Sequence, residues 1–354
     1  MRKLRMGVVG CGAVVTIHHL PAFKRCERVE LVALADRDRA WAAKVAQKAG
    51  VHEVYDDFTP MIGRVDAVLL ATPNTTHAAI ACRLLEAGVH VLCEKPMATT
   101  RADAERMFAA SATGGGRVMA AHSARFNPNV TMLKDILAAG WLGDVQEMSG
   151  GLGSAYAVAE RRTEFRREPG LAGGGVLVDL GIHLIDVAVW LAGAPPIAVD
   201  YDASCADGWC LETDCDVAIE FPRGACASLS ASYTHGPDPT FTVRGTAGWA
   251  AASLYVPSQL TLFSERARIC RRSGIQRLML DDRTSYQLQL EHFADAILSD
   301  RDFVVRADEV RTDLDIIERC YEIDRARAGA ARSGPSHAAD AARAADTVAE
   351  GTGT

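Results

Sequence analysis

Leu4-Arg5-Met6-Gly7-Val8-Val9-Gly10-Cys11-Gly12-Ala13-Val14-Val15 is the stretch on which the fold turns. A short apolar run ends in two glycines one residue apart, and a helical pattern follows. Gly10 permits a tight strand-to-helix turn, and Gly12 lets backbone come close to a pyrophosphate held at the helix N-terminus, with Ala13 and Val14 completing the turn. The third place in this glycine pattern holds Val15, where Gly or Ala is usual, a departure that bears on how closely the helix packs on its strand and not on the phosphate turn itself.

Outward from that turn, apolar runs and alanine-rich helical stretches alternate. Strands are expected at Leu4–Val9, Val29–Ala35, Val51–Tyr55, Val65–Ala71, Val89–Cys93 and Arg117–Ala121, with helices at Arg39–Ala49, Thr76–Ala87 and Arg101–Ala112 between them. This alternation predicts a doubly wound α/β domain, a parallel sheet covered on both faces, over residues 1–124. After Phe126-Asn127-Pro128 the texture changes. A helix (Val130–Ala138) leads to short strands at hairpin spacing: Val145–Ser154, Asp216–Phe221, Ala225–Tyr233, Phe241–Gly245, Trp249–Leu254 and Gln259–Phe263. Helices at Leu177–Leu191, Tyr286–Leu298 and Ala307–Arg325 complete an α+β domain over 125–327 with a large, mostly antiparallel sheet. The closing helix is expected to reach back to the first domain, and 328–354 reads as a disordered tail.

Asp36 ends the second strand, where a carboxylate can take both ribose hydroxyls and would repel a 2′-phosphate, which favours NAD. Arg37 beside it could instead pair with the phosphate of NADP. The fourth strand ends Ala71-Thr72-Pro73-Asn74-Thr75-Thr76-His77 and the fifth Cys93-Glu94-Lys95-Pro96, both at carboxyl ends of parallel strands, where open α/β sheets bind ligands. With these motifs, and with Glu291-His292-Phe293 and the closing helix, residues 4–325 resemble the glucose–fructose oxidoreductase / inositol dehydrogenase family of NAD(P)-dependent oxidoreductases. The resemblance implies that Lys95 contacts both substrate and nicotinamide ribose, and that Thr72, Pro73, Asn74, His77 and Glu94 line the cofactor cleft. It also implies a dimer or tetramer built on the large sheet, whose open face would otherwise leave an apolar patch in water.

A second motif, Gly173-Gly174-Gly175-Val176-Leu177-Val178-Asp179-Leu180-Gly181-Ile182-His183, sets Asp179 and His183 four apart, on one helix face, with Asp186 and Trp190 continuing the row. Oxidising a secondary alcohol requires a base for the hydroxyl proton, and histidine accepts and returns protons near neutrality. Asp179 could orient the imidazole, and Lys95 could stabilise the developing alkoxide. The resemblance gives Lys95, Asp179 and His183 those catalytic roles. Arg125, Arg166 and His235 are candidate substrate contacts, since polyol ligands need many hydrogen-bond partners.

The expected activity is hydride transfer between nicotinamide and a secondary alcohol or ketone of a sugar, cyclitol or related polyol. Two alternatives stand beside it: transient oxidation with no net cofactor change, and a non-enzymatic nicotinamide sensor. The formal charge of -7, from 38 Lys+Arg against 45 Asp+Glu, argues against nucleic acid as the main partner. The most apolar stretch, Val176 to Leu191, carries Asp179, His183 and Asp186, so no membrane span is expected. Ten cysteines without CxxC pairing suggest neither a disulfide framework nor a metal site, and fit a reducing cytoplasm.

Overall fold

The computed structural model describes residues 2–153, 165–256, 259–266, 276–278 and 283–332. Six strands, β1 (Leu4–Val9), β2 (Val29–Ala35), β3 (Glu53–Tyr55), β4 (Ala67–Leu70), β5 (His90–Cys93) and β6 (Val118–Ala120), form a parallel sheet in the order β3-β2-β1-β4-β5-β6. That is the doubly wound order in which the strand sequence reverses between β1 and β4 and leaves a crevice at their carboxyl ends. α1 (Leu20–Arg25), α2 (Arg39–Ala49), α3 (His77–Glu86) and α4 (Arg101–Gly114) lie between the strands. β4 is fully buried, as an apolar run covered on both faces should be. The turn after Gly12 does not enter an α-helix directly. Val15, fully buried, opens a five-residue π-helical turn, Val15–His19, before α1.

After α5 (Pro128–Ala138), a second sheet of eight strands follows in the order β14-β13-β12-β11-β7-β10-β9-β8. These are β7 (Val145–Gly153), β8 (Ala198–Ser204), β9 (Asp214–Glu220), β10 (Cys226–Ser232), β11 (Thr240–Gly245), β12 (Gly248–Ser253), β13 (Leu260–Ser264) and β14 (Gln276–Leu278). All neighbours are antiparallel except β7 and β10. β8 is absent from the strands the pattern predicts because it is an edge strand with Asp200 and Asp202 exposed and little apolar signal. Between β7 and β8 lie the short helix α6 (Pro169–Ala172) and the core helix α7 (Ile182–Ala192), which is preceded by a second π-helical turn, Leu177–Gly181. Within the apolar helical stretch Pro169–Ala192, 78% of an 18-residue apolar window is buried, so its apolarity serves the core.

Two helices return to the first core. α8 (Ser285–Leu298) places Leu290, Phe293 and Ala294 against it, and α9 (Ala307–Arg332) adds Val310 and Leu314 there while giving Ile316, Ile317 and Cys320 to the second. α9 continues to Arg332, beyond the residue where the tail was expected to begin, because Ala and Arg sustain a helix. The rest of that tail, 333–354, lies outside the described residues, as does Ser154 of the seventh strand. The outer face of the second sheet is less apolar than expected. One cross-strand row reads Glu220, Cys226, Glu147, Arg244, Trp249, Phe263 and the next Ala218, Ser228, Ser149, Thr242, Ala251, Thr261.

Candidate active site

The glycine turn has the shape a phosphate needs. Gly10 sits at φ +91°, and a Cβ there would meet the Ala71 carbonyl at 2.3 Å, whereas a Cβ on Gly12 would meet nothing within 4 Å. Gly10 is therefore fixed by packing between β1 and β4, and Gly12 faces open space at the crevice, where a pyrophosphate fits. Asp36 accepts from the Cys11 N–H at 2.8 Å and from the Asp38 N–H at 2.9 Å, which sets its carboxylate against the glycine turn. Trp41, which pattern reading did not single out, donates from Nε1 to the Cys11 carbonyl at 2.7 Å and locks the same turn. Ala13 and Val14 are half-buried beside it, and Arg37 is exposed.

The loop after β4 is held internally. The Thr72 and Thr76 hydroxyls lie 2.7 Å apart, and Thr76 also donates to the Pro73 carbonyl. His77 is fully buried, with Nδ1 2.9 Å from the Pro96 carbonyl and Nε2 2.8 Å from the Thr72 carbonyl. It ties the two strand-end loops together and presents no surface to a ligand, which corrects its expected place in the cleft lining. Asn74 donates to the Ala172 carbonyl at 2.8 Å, reaching the segment that precedes the glycine run. Glu94 is 7% exposed and sits 2.6 Å from His19 Nε2. Burial would raise its pKa, but His19 and the adjacent Lys95 outweigh that and hold it at about 2. His19 is missed by pattern reading because its partner lies 75 residues away. Above it, Tyr286 stacks on His18 at 4.6 Å and meets His19 edge-on.

Lys95 and Asp179 converge. The Lys95 ammonium donates to the Asp179 carboxylate at 2.9 Å and also to the Asp179 carbonyl. The other carboxylate oxygen takes the Tyr233 hydroxyl at 2.7 Å and lies 2.7 Å from Arg166 Nε. Burial would raise the Asp179 carboxyl, but Arg166, Lys95 and the hydrogen bonds hold it well below the usual carboxylate range. His183 is one helical turn further on. Burial, with Lys95 and His122 nearby, lowers its pKa to about 3, so its imidazole is neutral. The expected orientation of His183 by Asp179 is not found: both carboxylate oxygens are taken by cations and Tyr233, and His183 Nδ1, buried, has no hydrogen-bond partner among the described residues. Tyr233 directly follows β10 and could have been noticed as an aromatic hydroxyl at a strand end.

The other substrate candidates separate. Arg166 is in the cluster. His235 is 62% exposed in its side chain and leans on Ser232 at 2.8 Å and Asp214 at 3.3 Å, two residues past Tyr233. Arg125 does not reach the cleft. Its side chain is fully buried, Nη2 lies 2.6 Å from Asp186 and Nη1 2.5 Å from Glu309, so its donors are spent inside the fold. Asp186 therefore does not continue the reactive row. His122 lies 3.5 Å from Asp186 and 3.6 Å from Asp313, all three buried. Arg125 already occupies both Asp186 oxygens and supplies the positive charge a cation would bring there.

Residues 4–122 match the family model described as "Oxidoreductase family, NAD-binding Rossmann fold" (GFO/IDH/MocA), and residues 130–251 match the GFO/IDH/MocA C-terminal domain. The chain is 30% identical over 256 residues to the trans-1,2-dihydrobenzene-1,2-diol dehydrogenase of Bos taurus, covering 70% of this chain and 73% of that one. It is 33% identical over 204 residues to the D-glucoside 3-dehydrogenase of Escherichia coli, 55% of each. Among solved structures, the aldose-aldose oxidoreductase of Caulobacter crescentus complexed with glycerol superposes with a TM-score of 0.82 at 28% identity, covering 92% of this chain and 98% of that one. This chain belongs to the GFO/IDH/MocA family of NAD-binding oxidoreductases.

Proposed function

From that membership, we propose that the protein oxidises a secondary alcohol of a sugar, cyclitol or related polyol, with Lys95, Asp179 and His183 as catalytic residues. The observation that carries this reading is the Lys95–Asp179 pair, an ammonium fixed by a carboxylate at the junction of the two sheets beside a neutral imidazole. NAD, when bound, supplies the hydride acceptor. Gly10, Gly12, Ala13 and Val14 would hold its pyrophosphate and Asp36 its ribose, with Thr72, Pro73 and Asn74 beside them and Glu94 supporting Lys95 from below. Asp36 supports NAD over NADP, and Arg37 is the residue through which NADP could still be accepted. Lys95 would hold the substrate oxygen and stabilise negative charge as it develops, and neutral His183 would take the hydroxyl proton. Asp179 keeps Lys95 aimed. Arg166 and His235 border the substrate's space.

Residues 1–124 would then serve the cofactor and 125–327 the substrate, a division supported by the separate family matches. A homodimer or homotetramer through the outer face of the second sheet is part of the same reading, supported by its row of small side chains from Ala218 to Thr261, and a cytoplasmic setting is supported by the surface thiols Cys205, Cys210 and Cys226. The test is a panel of sugars, cyclitols and diols with NAD and with NADP, followed at 340 nm. Reduced cofactor should form with at least one member, faster with NAD, and His183→Ala should lower the rate about 10²–10⁴-fold. Unchanged turnover in His183→Ala would sink the assignment. The aldose-aldose name of the Caulobacter relative favours a second reading, in which substrate turns over with no net reduced cofactor. Chromatography of products beside the absorbance trace separates the two.

A further inference from the structure

The run Gly173–Gly175 is glycine because three other residues occupy the space of its missing side chains. A Cβ at Gly173 would meet Thr99 at 2.4 Å, one at Gly174 the Tyr321 hydroxyl at 2.1 Å, and one at Gly175 the Glu212 carbonyl at 2.2 Å and its carboxylate at 2.8 Å. Glu212 does more than fill space. Its Oε1 accepts from the Gly175 N–H at 2.9 Å, the Leu177 N–H at 3.3 Å and the Tyr321 hydroxyl at 2.8 Å, and its carbonyl accepts from the Val176 N–H at 2.9 Å. Three successive backbone donors at the start of one helical segment thus end on a single residue from the β8–β9 loop. The segment supplies no side-chain cap of its own. Glu212 is 8% exposed, so those donors have no water to fall back on.

Asp179 follows Leu177 by two residues and His183 follows Leu177 by six, while Lys95 comes from the loop after β5 of the first sheet. The position of this helix start therefore sets how Asp179 and His183 meet Lys95. We propose that Glu212 is a positioning residue for proton transfer, fixing the end of the segment that carries Asp179 and His183. The proposal rests on the reading of Lys95, Asp179 and His183 as the catalytic residues. A displacement of about 1 Å at such a site costs on the order of 10²-fold in rate.

The test compares Glu212→Ala and Glu212→Gln with the parent, using the best substrate of the panel. Four quantities are read: kcat, KM, the NAD dissociation constant by cofactor fluorescence, and Tm. Glu212→Ala should lower kcat about 10- to 100-fold. Its NAD dissociation constant should stay within about twofold, because the glycine turn and Asp36 lie on the other sheet. Glu212→Gln, which still offers a carbonyl oxygen to Gly175 and Leu177, should recover kcat to within about fivefold of the parent. A kcat within twofold in Glu212→Ala overturns the proposal, as does a Gln variant as slow as the Ala variant, or a parallel loss of NAD binding. If Glu212→Ala does not fold, Glu212→Asp decides by the same criteria, with an expected loss of about tenfold. Turnover in the parent that is indifferent to Lys95→Ala, or no turnover at all, overturns the catalytic reading and this proposal with it. Lys95-dependent turnover that ignores Glu212 overturns this proposal alone.

Discussion

One helical segment carries two clusters built from the same residue types. At its start, Asp179 meets Lys95, Arg166 and Tyr233, with His183 beside them. Seven residues on, Asp186 meets Arg125 and His122, with Asp313 and Glu309 behind. What separates them is exposure. Lys95 and Asp179 keep 11% of their side-chain surface and Arg166 25%, where the loop after β5 meets the start of the helical segment. Arg125 and Asp186 keep none. Charges that retain some surface can act on a ligand. Charges sealed in the interior can only hold one another, and they do so at a desolvation cost that makes the pair intolerant of losing one member. The lesson is that an acid–base–arginine set is a site only where part of it is left open.

The sharpest way to break this comparison is to substitute both clusters and read activity and stability together. Lys95→Ala should lower kcat about 10³- to 10⁴-fold, roughly 4–5.5 kcal/mol in the barrier, while Tm changes little. Asp186→Ala should do the opposite. It leaves the Arg125 guanidinium buried without its main partner, which costs about 3–5 kcal/mol of stability by denaturant titration, with kcat per folded molecule largely retained. If Lys95→Ala unfolded the protein, or Asp186→Ala abolished activity at full stability, the division of labour would be wrong.

A second test uses pH. In the cleft, His183 is held at about 3 in the folded chain against 6.5 unperturbed, so the imidazole stays neutral as pH falls from 8 to 5. The kcat/KM for alcohol oxidation should therefore show no limb near 6.5 from this residue, and a limb there that vanishes in His183→Gln would contradict the burial argument. The sign for stability follows from the same depression. Below 6.5 the unfolded chain takes up a proton that the folded chain refuses until about 3, so this residue's contribution is complete above 6.5 and is lost as pH falls through that window. His183→Gln should flatten the corresponding slope of Tm against pH.

The fold was legible because its signals are local. The apolar runs of β1, β4 and β5 are buried for most of their length and read as such from residue type alone, and Gly10 is required by a contact its own motif implies. The cluster of Lys95, Asp179 and His183 was partly legible for the same reason, since the glycine run and the Glu-Lys-Pro turn are contiguous. What escaped depends on distance along the chain. Arg125 looks like a ligand-binding residue until Asp186, 61 residues on, and Glu309, 184 residues on, are brought to it. Asp179 and Asp186 cannot be told apart by helical spacing, because burial is decided by α9 and by the β6–α5 connection. Glu212 and His19 were invisible on the same ground: each acts on backbone or a side chain remote in sequence.

The smallest expected effect discriminates within the buried cluster itself. Asp186 and Asp313 lie against each other beside one arginine, and two adjacent buried carboxylates cannot both ionise. Burial would raise both, but Arg125 and His122 keep Asp186 ionised, whereas burial and the Asp186 charge push Asp313 well above the usual carboxylate range. Asp313 thus keeps its proton and is neutral beside the Asp186 charge. An amide has the same shape and is likewise neutral, so Asp313→Asn should change stability by no more than about 1 kcal/mol, while Asp186→Asn, which removes the charge that Arg125 needs, should cost about 3 kcal/mol or more. Equal losses from the two substitutions in parallel urea titrations would mean that the proton is not localised as the packing requires, and that the interior cluster is not a sealed counterpart of the cleft but a titrating one.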